Sequence, residues 1–247
     1  MLWYKAWLES RVRFLVSAIV LSAYCVAFVQ RARFDFPPLT EPTLRYSVFV
    51  WRGIYNGADT LMFVIVAVML GLGGLQRERA AGTASYTLAL PVSRLRLLAT
   101  RVAVGWIEVA ALASIPVLVV PWMSSHLAGR FYPVSQTLEF ALLFAFTGAV
   151  WVASGCLWSA VFSGEHTGTV ACVLTPVLYA AAINGTRLRR FPGVNILNVM
   201  NGTGMPYLDR VTALLIGPLP WTNLVAVGCV AAALFGVAAF VTARRDF

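Results

Sequence analysis

Long apolar runs, each near the length of a bilayer crossing and most of them flanked by arginine, recur along the whole chain. A helix needs about 20 apolar residues, rising about 1.5 Å each, to cross the hydrocarbon core. Runs of this kind lie at about Val12–Gln30, Ile54–Leu75, Arg101–Trp122, Glu139–Phe162, Thr169–Ile183 and Trp221–Ala243. They show no period-two alternation, which selects helices over a closed barrel, the other structure whose backbone is satisfied in lipid. The expected fold is all-α: a polytopic membrane protein with six transmembrane helices, residues 1–247 forming a single transmembrane domain. The fifth run is short and holds Pro176, so a kink or half-break is expected there.

Charge supports this reading. Only 12% of the 247 residues are charged and 60% are hydrophobic, where a soluble domain carries about a quarter charged residues. The net charge is +9, and of 19 basic residues all but Lys5 are arginine. The arginines lie between apolar runs, which points to the lipid bilayer as partner and not to nucleic acid. Cys25, Cys156, Cys172 and Cys229 each stand alone within an apolar run. Neither a zinc site nor a disulfide framework is indicated, and the expectation is buried thiols acting as small hydrophobes. Lys5, Arg11 and Arg13 before the first run resemble a secretory leader, but no small-x-small cleavage site follows, so a retained span is expected.

An even number of spans puts both termini on one side. Basic residues divide ten to nine between the two sides and give no bias. Five arginines flank one short connection, Leu75 to Arg101, and on that concentration the connection and both termini are assigned to the cytoplasm. On the opposite side Gly185–Pro220 holds "VNILNVM" and "VTALLIGPLPW" among Pro192, Pro206, Pro218 and Pro220. It is too interrupted to span, and short interfacial or re-entrant helices between helices 5 and 6 are expected. Trp3, Trp7, Trp51, Trp122, Trp151, Trp158 and Trp221 mostly fall near span ends, as an interfacial belt would.

The residues for catalysis are missing. A P-loop needs a lysine after a glycine-rich turn, and Lys5 follows "MLWY", so the chain cannot hydrolyse ATP through that motif. Intramembrane proteolysis would need a serine and a histidine facing each other, yet His126 and His166 fall in expected loops. Asp59 is the one aspartate in an expected span, which excludes a diaspartyl site. The chain is expected not to be an enzyme and to bind no cofactor or metal of its own.

Charges inside spans are costly and draw attention to function. Arg52, Asn56 and Asp59 stand at i, i+4 and i+7, as do Arg101, Gly105 and Glu108, so each trio is expected on one helical face. Two readings apply. Arg52/Asp59 and Arg101/Glu108 form pairs on the helix surface near the membrane edge, or Asn56, Asp59 and Glu108 lie on a polar substrate path. Gly105 would let another backbone come close between the two charges of its face.

The connection itself reads "ERAAGTASYTLALPVSRLRLLATR" from Glu78 to Arg101. Gly82 suits the left-handed C′ position of a helix end, Thr83 an N-cap, and Pro91 a helix stop. Ser93 suits the N-cap of a helix running through Arg94 and Arg101 into the third span. The result is a rigid elbow over residues 76–100. Its basic character suits anionic headgroups, but Glu78 and the small residues of "AAGTAS" suit close docking of another surface.

This stretch resembles the signature elbow of the ABC type-2 permeases, the membrane subunits of ATP-binding-cassette transporters. The resemblance rests on Glu78, Arg79, Gly82, Thr83, Leu88, Pro91, Val92, Ser93, Arg94 and Arg101, the last of which is often lysine in that family. "WLESRVRFL" at Trp7–Leu15 and "ARRDF" at Ala243–Phe247 resemble the ends of some members. The resemblance implies a permease subunit of an exporter-type transporter in a bacterial cell membrane. It pairs with a second copy or a paralogue, and cytoplasmic ABC ATPase subunits carrying ATP and Mg drive it. The elbow would then be a coupling helix seated in a cleft of the ATPase. The competing expectations are an ATP-independent secondary transporter or channel and a membrane anchor that transports nothing.

Overall fold

A computed structural model describes residues 2–35, 43–72, 93–127, 129–162, 165–185 and 195–244. Among them the helices are α1 (Leu2–Asp35), α2 (Thr43–Val50), a π-helical turn (Trp51–Tyr55), α3 (Ala58–Gly71), α4 (Arg94–Ala113), α5 (Ile115–His126), α6 (Val134–Val161), α7 (Glu165–Gly185), α8 (Ile196–Asn201) and α9 (Trp221–Arg244). The described residues hold no β-structure beyond one isolated bridge, Leu208–Leu215.

Five segments are long and apolar enough to cross a membrane: Leu2–Ala32, Tyr46–Gly71, Leu95–His126, Val134–Val161 and Trp221–Arg244. A shorter apolar helix, Thr167–Ile183 within α7, accompanies them. The fold is thus an all-helical multi-pass membrane protein. Its spans are longer than the expected runs, because the helices continue past the apolar stretches into their polar flanks. α1 is one helix from Leu2, and the expected break at Pro176 is absent, α7 running unbroken through it.

α6 is the axis of the bundle. Buried residues make up 67% of its apolar window, against 17% for α1 and for α9. It packs against α3, α4, α5, α7, α8 and α9. The α3–α6 crossing is glycine-closed: a Cβ on Gly155 would stand 2.0 Å from the Val68 carbonyl oxygen, and one on Gly71 2.2 Å from that of Val152. Small residues at such a crossing let backbones approach where lipid gives no hydrophobic drive between helices.

The second span is not one helix. The π-turn ends at Asn56 and Gly57, and α3 starts anew at Ala58. This break turns the helix and overturns the expected common face: Arg52 and Asn56 are exposed, whereas Asp59 is buried.

The described part of the segment expected between helices 5 and 6, 195–220, caps one end of the bundle. α8 starts with the Asn195 side chain accepting from Leu197 N and stops at Gly202, whose φ of +76° needs glycine. Where short interfacial or re-entrant helices are expected across this segment, Leu208–Leu215 forms a tight hairpin instead. Asp209 Oδ1 accepts from Val211 N (3.1 Å) and Oδ2 from the Thr212 hydroxyl (2.6 Å). Gln136 at the start of α6 grips Leu215 at both ends, donating to its carbonyl (3.1 Å) and accepting from its N–H (2.7 Å). The Ser47 hydroxyl donates to the Thr212 carbonyl. At the opposite end, Leu95 and Leu98 of α4 line a cavity with Phe240 and Thr242 of α9. The N-terminal part of α1 and the C-terminus of α3 lie at that end as well.

Candidate functional site

α1 presents Glu9, Ser10 and Arg13 within one helical turn, and α4 presents Arg101, Gly105 and Glu108 over two. These two faces meet. Arg101 forms an ion pair with Glu9, and the Ser10 hydroxyl donates to Glu108 Oε1. Arg13 turns to α3: its Nη1 donates to the carbonyls of Met69 and Leu72, 2.6 Å each. Those carbonyls belong to the last turn of α3 and to its C-cap, Leu72, where the helix dipole favours a cation.

Glu108 is 2% exposed, and its Oε2 has no hydrogen-bond partner among the described residues. A cavity of about 10 Å³ is enclosed by residues including Arg13, Leu72, Arg101 and Glu108. That is room for about one water molecule, the usual partner of such an atom. Gly105 lies between the two α4 charges, as expected of a close approach: a Cβ there would stand 3.0 Å from Val152 Cγ1 and 3.7 Å from the Leu70 carbonyl oxygen.

The pairing expected from the sequence is corrected on both faces. Arg101 pairs with Glu9, not with Glu108, and Asp59 does not share a face with Arg52. Asp59 is 4% exposed, in the first turn of α3, and its Oδ1 has no hydrogen-bond partner among the described residues. Asn56 Oδ1 accepts from Asn201 Nδ2 (2.6 Å), and Trp51 Nε1 donates to the Asn201 carbonyl (2.9 Å). Asn56 therefore fastens the 195–220 cap to the helix break, and the three candidate path residues occupy three separate places.

Of the elbow residues, Glu78, Arg79, Gly82, Thr83, Leu88, Pro91 and Val92 lie outside the described residues. Ser93 is the N-cap of α4 as expected, its side chain accepting from Arg96 N (3.3 Å). Arg94 opens that helix. Glu9 and Ser10 are absent from the candidate site residues read from the sequence, and Arg13 enters there only as a basic flank of the first run. Their signal was present: two charges four residues apart, with a serine between them, at the start of an apolar helix.

Among the described residues no three His, Cys, Asp or Glu side chains come together as metal ligands. What the fold defines is a class, the multi-pass helical membrane protein, with charged side chains of α1 and α4 joined inside it. No protein-family model, no curated protein and no solved structure matches this chain.

Proposed function

We propose that the chain is the permease subunit of an ABC exporter-type transporter, forming a substrate pathway across a bacterial cell membrane and driven by separate ATPase subunits. In this reading α7 is a sixth crossing, the elbow and both termini are cytoplasmic, and ATP and Mg are held by the partner. A second copy or a paralogue completes the transporter.

The observation that carries the reading is the latch of α1 on both roots of the elbow. Arg13 holds the C-terminal carbonyls of α3, and Glu9 and Ser10 hold Arg101 and Glu108 of α4. A displacement of the segment between Leu72 and Ser93 is therefore delivered to three helices together. The motif residues Glu78, Arg79, Gly82, Thr83, Leu88, Pro91, Ser93, Arg94 and Arg101 supply the docking side of that coupling. The test is co-purification, from native membranes, of an ATPase bearing a P-loop. Glu78→Ala or Gly82→Trp should abolish the complex while the permease stays folded by size-exclusion chromatography. An unchanged complex with unchanged ATPase stimulation would sink the coupling role.

An ATP-independent secondary transporter is the second reading, favoured by the buried Asp59, since intramembrane carboxylates serve ion coupling. Transport by the chain reconstituted alone, without ATPase, would decide for it.

A further inference from the structure

Three buried oxygens have no hydrogen-bond partner among the described residues: Tyr132 Oη, Tyr55 Oη and Asp59 Oδ1. Tyr132 and Tyr55 are each 1% exposed and Asp59 is 4% exposed. Tyr55 lies within electrostatic reach of both Asp59 and Tyr132, and Tyr132 within reach of Glu139. Glu139 is only half-buried, at the cap end of α6. The path therefore starts at a surface carboxylate and ends at a carboxylate inside the second span.

The hydroxyl of Tyr55 is placed by its ring. That ring stacks on Phe140 at 4.1 Å between centroids and meets Phe144 edge-on at 6.0 Å. Packing, not hydrogen bonding, fixes the hydroxyl, which leaves its donor and its acceptor sites to exchangeable partners. Buried polar atoms of this kind are ordinarily completed by water. The break at Asn56–Gly57 is what brings Asp59 inward beside them, at a discontinuous helix of the sort that builds ion sites near the bilayer midplane.

We propose that Asp59 is a proton-binding site reached from the cap end of the bundle through water linked by Tyr132 and Tyr55. A proton arriving at the Glu139 end displaces one along the chain of hydroxyls and waters. An O–H bond forms at Asp59 Oδ1 as one breaks at the neighbouring donor, and each relay group ends as it began. The ligand is a proton and not a metal ion, because the site offers one carboxylate. Facing it are Tyr24 and Cys25 from α1 and Tyr55 from the π-turn, the first two within electrostatic reach of Asp59. The remaining ionisable groups that pack on α3 sit elsewhere: Arg13, Arg101, Glu108 and Cys156 at its other end, and Cys172 and Tyr179 on α7. The site stands apart from ATPase coupling and holds whether or not a nucleotide-driven partner exists.

Two measurements test it. Purified protein in nanodiscs is treated with dicyclohexylcarbodiimide, which modifies protonated carboxyls in apolar surroundings, and the adduct is located by mass spectrometry. The expected result is an adduct on Asp59 that falls at least tenfold as pH rises. An adduct that is pH-independent, or no adduct on Asp59 at any pH, would overturn the site. The path is tested by pH-jump infrared difference spectroscopy on the carboxyl band removed by Asp59→Asn. Tyr55→Phe and Tyr132→Phe, each deleting one hydroxyl and keeping the ring, should slow its response at least tenfold. An unchanged rate in the double variant would overturn the path, and unaltered thermal stability of each variant separates that result from misfolding.

Discussion

At Arg13 a guanidinium donates to two carbonyls at the end of α3 while the chain continues toward the elbow. Hydrogen bonds to a charged donor are worth about 1.5–3 kcal/mol each in mutational series. Arg13→Ala should therefore lower the stability of the detergent-solubilised protein by about 3 kcal/mol, the low end for two such bonds, with Arg13→Lys recovering part of it because a point charge cannot fork between two carbonyls. Asp209 gives a residue-scale pH dependence. The Thr212 hydroxyl, and then the Val211 N–H, hold its carboxyl below the usual carboxylate range. A depressed folded value means that this contribution is complete above the unfolded pKa of about 3.9 and is lost as pH falls through the folded value. Hydrogen-exchange protection at Val211 and Thr212, corrected for intrinsic rate, should fall in that acid window, and Asp209→Asn should abolish the dependence. At this scale the sequence showed which side chains were costly but not their partners. Glu108 and Asp59 stood out as charges in apolar runs, whereas Ser10 and Gln136 find their partners across 98 and 79 residues of chain. No local spacing reports such distances.

Helices were the legible elements, because continuous apolarity and length decide them. Their interruptions were less so. The break after Tyr55 carries its own signals, Gly53, Asn56 and Gly57, yet these lie beside so apolar a run that periodicity extended the helix across them. Pro176 shows the reverse: a breaker by propensity that α7 absorbs, since a helix packed among helices tolerates one lost bond. The hairpin at 208–215 replaced an expected helix because Gln136 and Ser47 satisfy its backbone from elsewhere in the fold. The α3–α6 crossing yields the element-scale prediction. Gly155→Ala forces a Cβ to 2.0 Å from the Val68 carbonyl oxygen, and overpacking of this kind costs about 1–3 kcal/mol. Gly228→Ala on α9, where a Cβ would meet nothing within 4 Å, should leave thermal unfolding unchanged.

For the molecule as a whole, the bundle has a buried axis in α6 and two largely exposed helices, α1 and α9, suited to lipid or to a second subunit. The elbow roots, the start of α1 and the end of α9 gather at one end, and 195–220 covers the other. In a cysteine-free background, Ala243→Cys and Thr83→Cys should react with a membrane-impermeant maleimide only from the cytoplasmic side, and Val211→Cys, at an exposed position of the cap, only from outside. Opposite labelling of the elbow and the C-terminus would refute the shared end. The most direct test of the central claim is in-membrane cross-linking from Thr83→Cys with the adduct sequenced by mass spectrometry. A P-loop ATPase attached to the elbow, lost on Gly82→Trp, is the predicted result. An elbow that labels fully yet cross-links to no ATPase under conditions of normal expression would contradict the account.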